Sequence, residues 1–105
     1  MDYPLQVQHA KATGQLTVTS PYDGSSIGSV PTINKEGVDQ ALKNAAALFA
    51  DKSLWLPGEQ RIQILRNMTV LMEQHYERLV DQAVAEGGKP LLDTRIEMDR
   101  AIDGI

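Results

Sequence analysis

The sequence predicts an α+β chain: an N-terminal β-hairpin followed by three or four helices. Three observations carry this. Two short runs rich in β-branched residues flank a Pro- and Gly-containing turn near the start. From Asn34 onward, apolar residues recur at i, i+3, i+4 and i+7. Helix punctuation then falls at Pro57, Gly87-Gly88 and Pro90.

Residues 1–15 are polar and unpatterned, and are expected to form an extended arm. Leu16-Thr17-Val18-Thr19 reads as a strand and Ile27-Gly28-Ser29-Val30-Pro31 as its return. Between them, Ser20-Pro21-Tyr22-Asp23-Gly24 is a turn, with Pro pre-set for its second position and Gly supplying positive φ.

Asn34 is a favourable N-cap for the first helix. Val38, Ala41, Leu42, Ala45 and Phe49 form its apolar stripe. Asp51 to Gly58 interrupt the pattern, with Pro57 where a new helix takes it, at the first turn. From Glu59 to Glu86 there are two stripes: Ile62, Leu65, Met68/Thr69 and Met72, then Tyr76, Leu79, Val80, Ala83 and Val84. The change of phase near Gln74-His75 predicts a kink or two helices at an angle. Gly87-Gly88 stops the run, and Lys89-Pro90 opens a last amphipathic helix that is still running at Ile105. That unfinished pattern predicts a segment of a longer protein, with residues 16–105 forming part of a domain.

Composition narrows the function. A formal charge of −4, with ten scattered Lys and Arg, argues against a nucleic-acid face. The longest purely apolar run, Ala45 to Phe49 and Ala50, falls far short of the roughly 20 residues that span a bilayer. No secretory signal pattern opens the chain, and it has no cysteine; both fit a cytoplasmic protein. The missing cysteine excludes disulfides, thiolate metal sites and thiol nucleophiles from these residues.

No constellation here predicts catalysis. His9 and His75 lack neighbouring ligands at metal spacing, and Glu73 and Glu77 at i−2 and i+2 point away from His75. Glu86-Gly87-Gly88-Lys89-Pro90 lacks both the glycine spacing and the Ser/Thr of a phosphate loop. Glu97, Asp99 and Asp103 are spaced as a solvated face, with Arg95–Asp99 an attractive i,i+4 pair. Met68, Met72 and Met98 read as core filler. Trp55, flanked by Leu54 and Leu56, reads as a plug at a helix junction.

The order of these pieces is more specific than any one of them. They run Ser20-Pro21-Tyr22-Asp23-Gly24-x-x-Ile27-Gly28-Ser29-Val30-Pro31, Val38-Asp39-x-Ala41-Leu42-x-x-Ala45, Trp55, and Arg61-x-x-Ile64-Leu65. Met72-Glu73-x-x-x-Glu77-x-Leu79, Glu86-x-Gly88-Lys89-Pro90-Leu91 and Glu97-x-x-x-Ala101 follow. In order and spacing, residues 16–105 resemble the N-terminal portion of the NAD(P)-dependent aldehyde dehydrogenase superfamily.

The resemblance implies part of an α/β cofactor-binding domain, and a parent enzyme that oxidises an aldehyde to a carboxylic acid with NAD or NADP. In that family a cysteine thiolate attacks the carbonyl, hydride passes to the nicotinamide, and a glutamate activates water to release the acid. Those residues and the main dinucleotide segment lie beyond the part resembled. The 105-residue chain alone is therefore expected to be inactive and to bind no dinucleotide. The resemblance also implies a monovalent cation held by the Val18 and Thr19 carbonyls and the Glu86 carboxylate. The expected partner is the remainder of its own polypeptide, with homo-oligomers formed through uncovered apolar helix faces (Leu65, Met72, Leu79, Val84, Ile102, Ile105). The alternatives are a stand-alone helical interaction module and a regulatory paralogue of the enzyme.

Overall fold

The computed structural model describes residues 3–105. Two antiparallel strands are followed by four α-helices, in agreement with the expected order. The strands are β1 (Gly14–Thr19) and β2 (Ser26–Thr32); the helices are α1 (Lys35–Ala50), α2 (Gly58–Gln74), α3 (Tyr76–Gly87) and α4 (Leu91–Asp103). A single 3-10 turn, Lys52–Leu54, follows α1. Contacts divide the chain into two units: residues 1–19 with 26–55, and residues 20–25 with 56–105.

In the first unit Leu16 pairs with Val30 and Val18 with Gly28. The register then slips between Val18 and Thr19, so that Thr19 faces Ser26. Such a bulge bends a strand locally. Helix α1 starts as its sequence dictates: Asn34 Oδ1 accepts the Gly37 N–H at 3.1 Å.

At its other end the indole of Trp55 departs from expectation. It is half-exposed, tilted against Phe49 with ring centroids 5.6 Å apart, and its Nε1 donates to the Leu48 carbonyl at 3.1 Å. The last carbonyls of a helix lack intrahelical donors, and the indole N–H satisfies one of them. Trp55 is thus a C-terminal cap of α1 rather than a buried plug. The α1 stripe is open too: Leu42 is 63% and Phe49 74% exposed.

In the second unit the phase change is a break at His75 (φ −108°, ψ 16°). Hydrogen bonds from His75 N to Leu71 O and from Leu79 N to His75 O carry the helical path across it. Gly88 ends α3 in the left-handed conformation, and its N–H donates to the Val84 carbonyl at 2.9 Å. α4 then packs on α3.

Val80 and Thr94 are the buried side chains of this pair. The Thr94 hydroxyl is satisfied by the Pro90 carbonyl at 2.9 Å. Met72 and Met98 are half-buried, whereas Met68 is 48% exposed and is not core filler within this chain. Val80 is the one fully buried large apolar side chain among the described residues.

Candidate functional site

The densest polar constellation lies where α3 and α4 meet. Glu77 and Arg95 form a two-pronged ion pair, with Arg95 Nη1 2.8 Å and Nη2 2.6 Å from the two carboxylate oxygens. The Tyr76 hydroxyl lies 2.8 Å from Asp99 Oδ1 and 3.0 Å from the Arg95 carbonyl. One phenolic proton serves one acceptor at a time, and the charged carboxylate is the stronger. The guanidinium carbon of Arg95 stands 6.0 Å from the centre of the Tyr76 ring. Lys89 Nζ reaches both carboxylate oxygens of Glu97, at 2.8 and 3.0 Å.

This geometry corrects the expected Arg95–Asp99 pairing. Two flexible side chains on one helix gain little from each other, whereas Glu77 on the facing helix meets the planar guanidinium with both oxygens. Asp99 is then free to accept from Tyr76. The constellation clasps two helices and does not resemble an acid/base site.

The proton equilibria agree. Hydrogen bonding from Arg95 holds the Glu77 carboxyl below its usual range. The Asp99 hydrogen bond pushes the Tyr76 phenol up. Bonds from Ser25 and Ser53 lower Asp23 and Asp51 respectively. Every one of these shifts moves its group away from neutrality, the reverse of what proton transfer near pH 7 requires.

The Glu86–Pro90 segment does not fit a dinucleotide phosphate. It closes the C-terminus of α3, the negative end of a helix. The Gly88 N–H is already given to Val84, and Pro90 has none to offer. The first turns of α1, α2, α3 and α4 carry Glu36, Glu59, Glu77 and Asp93, which disfavour an anion there.

Val18 and Thr19, named above for their carbonyls, adjoin the bulge of β1 in the first unit. Glu86 lies in α3 of the second, where its Oε1 accepts from Gln82 Nε2 at 2.7 Å. Among the described residues no three His, Asp or Glu side chains cluster as a metal site. His9 and His75 are both exposed, and among the described residues no helix is long and apolar enough to cross a membrane.

The hairpin and helices leave broad apolar faces exposed. Comparison with known proteins names the architecture. A family model described as "Aldehyde dehydrogenase family" matches residues 8–105, and the chain belongs to that family.

It is similar to a malonate-semialdehyde dehydrogenase 1 of Geobacillus kaustophilus (strain HTA426), 33% identical over 96 residues, covering 90% of this chain and 19% of the relative. It is also similar to the succinate-semialdehyde dehydrogenase (NADP(+)) of Escherichia coli (strain K12), 37% identical over 90 residues, 82% of this chain and 18% of that protein. A lactaldehyde dehydrogenase of Methanocaldococcus jannaschii is 26% identical over 87 residues, 83% of this chain and 19% of the relative. The chain thus spans about a fifth of the length of the curated relatives it matches.

Proposed function

We propose that these residues form the amino-terminal, supporting part of an enzyme that oxidises an aldehyde to a carboxylic acid with NAD or NADP. In this reading the chain supplies no reacting group. Its helices lie over the rest of the same polypeptide, which brings the nucleophile and the dinucleotide site.

The carrying observation is the family match over residues 8–105 in a chain whose described residues fully bury a single large apolar side chain. Exposed apolar area of this extent marks a surface meant for covering. Two of the relatives named above act on semialdehydes, so short aldehydes bearing a second polar end are the substrates to try first.

The test is a chimaera. The matched segment of the Escherichia coli relative is replaced by this chain, and formation of reduced cofactor is followed with succinate semialdehyde. A soluble, active chimaera supports the reading, as does absence of turnover by the 105-residue chain alone. Turnover by the isolated chain would sink the supporting role. A chimaera that folds yet leaves the semialdehyde untouched would sink the proposed place in the enzyme.

A further inference from the structure

The sequence holds two Asp–Gly pairs, Asp23–Gly24 and Asp103–Gly104. Glycine has no β-carbon to obstruct its backbone nitrogen, which can therefore attack the carboxyl carbon of a preceding aspartate. The carboxyl hydroxyl and the amide hydrogen leave as water, and a succinimide ring forms. Water reopens the ring. Opening at the former main-chain carbonyl leaves the backbone running through the side-chain carbon, as isoaspartate. Mass is unchanged and the main chain is longer by one methylene. The reaction needs a carboxyl free to turn toward the nitrogen, and a nitrogen free to shed its proton.

The hairpin turn withholds both. Asp23 Oδ1 accepts the Ser25 N–H at 3.0 Å and the Ser25 hydroxyl at 2.8 Å. The Gly24 N–H donates to the Ser20 carbonyl at 2.9 Å, and the Ser20 N–H closes the turn on the Ser25 carbonyl at 2.8 Å. The Tyr22 N–H braces it further on Ser20 Oγ at 3.2 Å. Lack of access is not the protection. Asp23, Gly24 and Ser25 are exposed, and a β-carbon at Gly24 would meet nothing within 4 Å. The Ser25 N–H, then the Ser25 and Ser20 hydroxyls, hold the Asp23 carboxyl below its usual range, so less of it carries the proton that helps water depart. Asp103, also exposed, ends α4 without such a clasp among the described residues.

We propose that Asp23–Gly24 is an isomerisation site gated by the fold, unreactive while the Ser20–Ser25 turn is closed and reactive when it opens. Conversion would not be undone by refolding. The pendant carboxylate, shortened by the carbon that joins the main chain, no longer meets Ser25 as before, and the longer backbone no longer closes the same turn. The inference rests on this turn alone and is independent of aldehyde oxidation.

Timed incubation of the 105-residue chain tests it, at about pH 5, where part of an ordinary aspartate population is still protonated. Isoaspartate is quantified by peptide mapping, with and without concentrated guanidinium chloride, and Asp103–Gly104 is the internal reference. In the folded chain Asp23–Gly24 is expected to convert roughly tenfold more slowly, or slower still, than in denaturant. It should also lag behind Asp103–Gly104, whereas denaturant brings the two pairs to similar rates. Ser25→Ala, which removes the hydroxyl bond, should speed Asp23–Gly24 severalfold and leave Asp103–Gly104 as it was. Ser25→Thr keeps a hydroxyl and should stay near the unaltered chain. Equal rates at Asp23–Gly24 in the folded and unfolded chain would overturn the proposal. So would a Ser25→Ala variant that sped both pairs alike, since general unfolding and not the local clasp would then set the rate.

Discussion

A β-carbon at Gly88 would stand 2.7 Å from Cγ of Pro21, so the stop after α3 and the hairpin turn are fitted together through a missing side chain. Gly88 also has φ 62°, so it answers two demands at once: backbone hand and close approach. Pro21 is rigid and cannot swing aside as a flexible chain end would.

Three glycine substitutions separate those demands. Gly88→Ala is expected to cost about 2–3 kcal/mol, from left-handed strain plus the clash. Gly24→Ala, at φ 73° with nothing within 4 Å, should cost only about 1 kcal/mol. Gly58→Ala, in the first turn of α2 with open space around it, should stabilise by roughly 0.5 kcal/mol. Urea unfolding followed by circular dichroism measures all three. Equal losses at Gly88 and Gly24 would show that the Pro21 contact is unimportant.

The cap of α1 offers a second check. Asn34→Ala removes the acceptor of the Gly37 N–H and is expected to cost about 1 kcal/mol. Asn34→Asp keeps an acceptor and should cost little. A thermal scan of the two variants beside the parent distinguishes a cap from a neutral surface position.

Stability should fall off at both ends of the pH scale, for different reasons. Glu77 has its native pKa below the ordinary 4.5, so its contribution is complete above that value and is lost as pH drops through the native pKa. Tyr76 is raised above the ordinary 10.0, so its contribution is complete below pH 10 and is lost as pH rises through the native value. Glu77→Gln should flatten part of the acid limb, leaving the share due to Asp23 and Asp51. Tyr76→Phe should flatten the alkaline limb alone. Unfolding midpoints collected from pH 3 to 11 would refute the assignment if Glu77→Gln left the acid limb unchanged or Tyr76→Phe left the alkaline limb unchanged.

The open apolar faces should be detectable directly. The folded chain is expected to enhance the emission of anilinonaphthalene sulfonate, with Trp55, the single tryptophan, retaining the near-ultraviolet signal of an ordered ring. In the chimaera described above, that dye emission should fall away as the faces are covered. Dye binding that persisted at the same level would mean the apolar stripes serve another partner.

Much of the molecule was legible from local signals. Asn34 as a cap, the break at His75, Gly88 as a stop and the hairpin around Pro21–Gly24 depend on residues within a few positions of each other. Backbone propensity and hydrogen-bonding needs determine such features before any distant contact forms. The order and spacing of those pieces also carried the likeness to aldehyde dehydrogenases that the family match bears out.

Tertiary structure decided the rest. It turned Arg95 toward Glu77 instead of Asp99, left Met68 and Phe49 open, and set the Trp55 indole over the Leu48 carbonyl. Periodicity identifies which side of a helix is apolar, but not whether anything lies against it. Partner choice among charged side chains likewise depends on where two helices meet, a quantity that no window of neighbouring residues contains. The requirement for glycine at position 88 shows both levels together. Its hand could be inferred from the helix it ends, while its closeness to Pro21 arose only when the two segments packed.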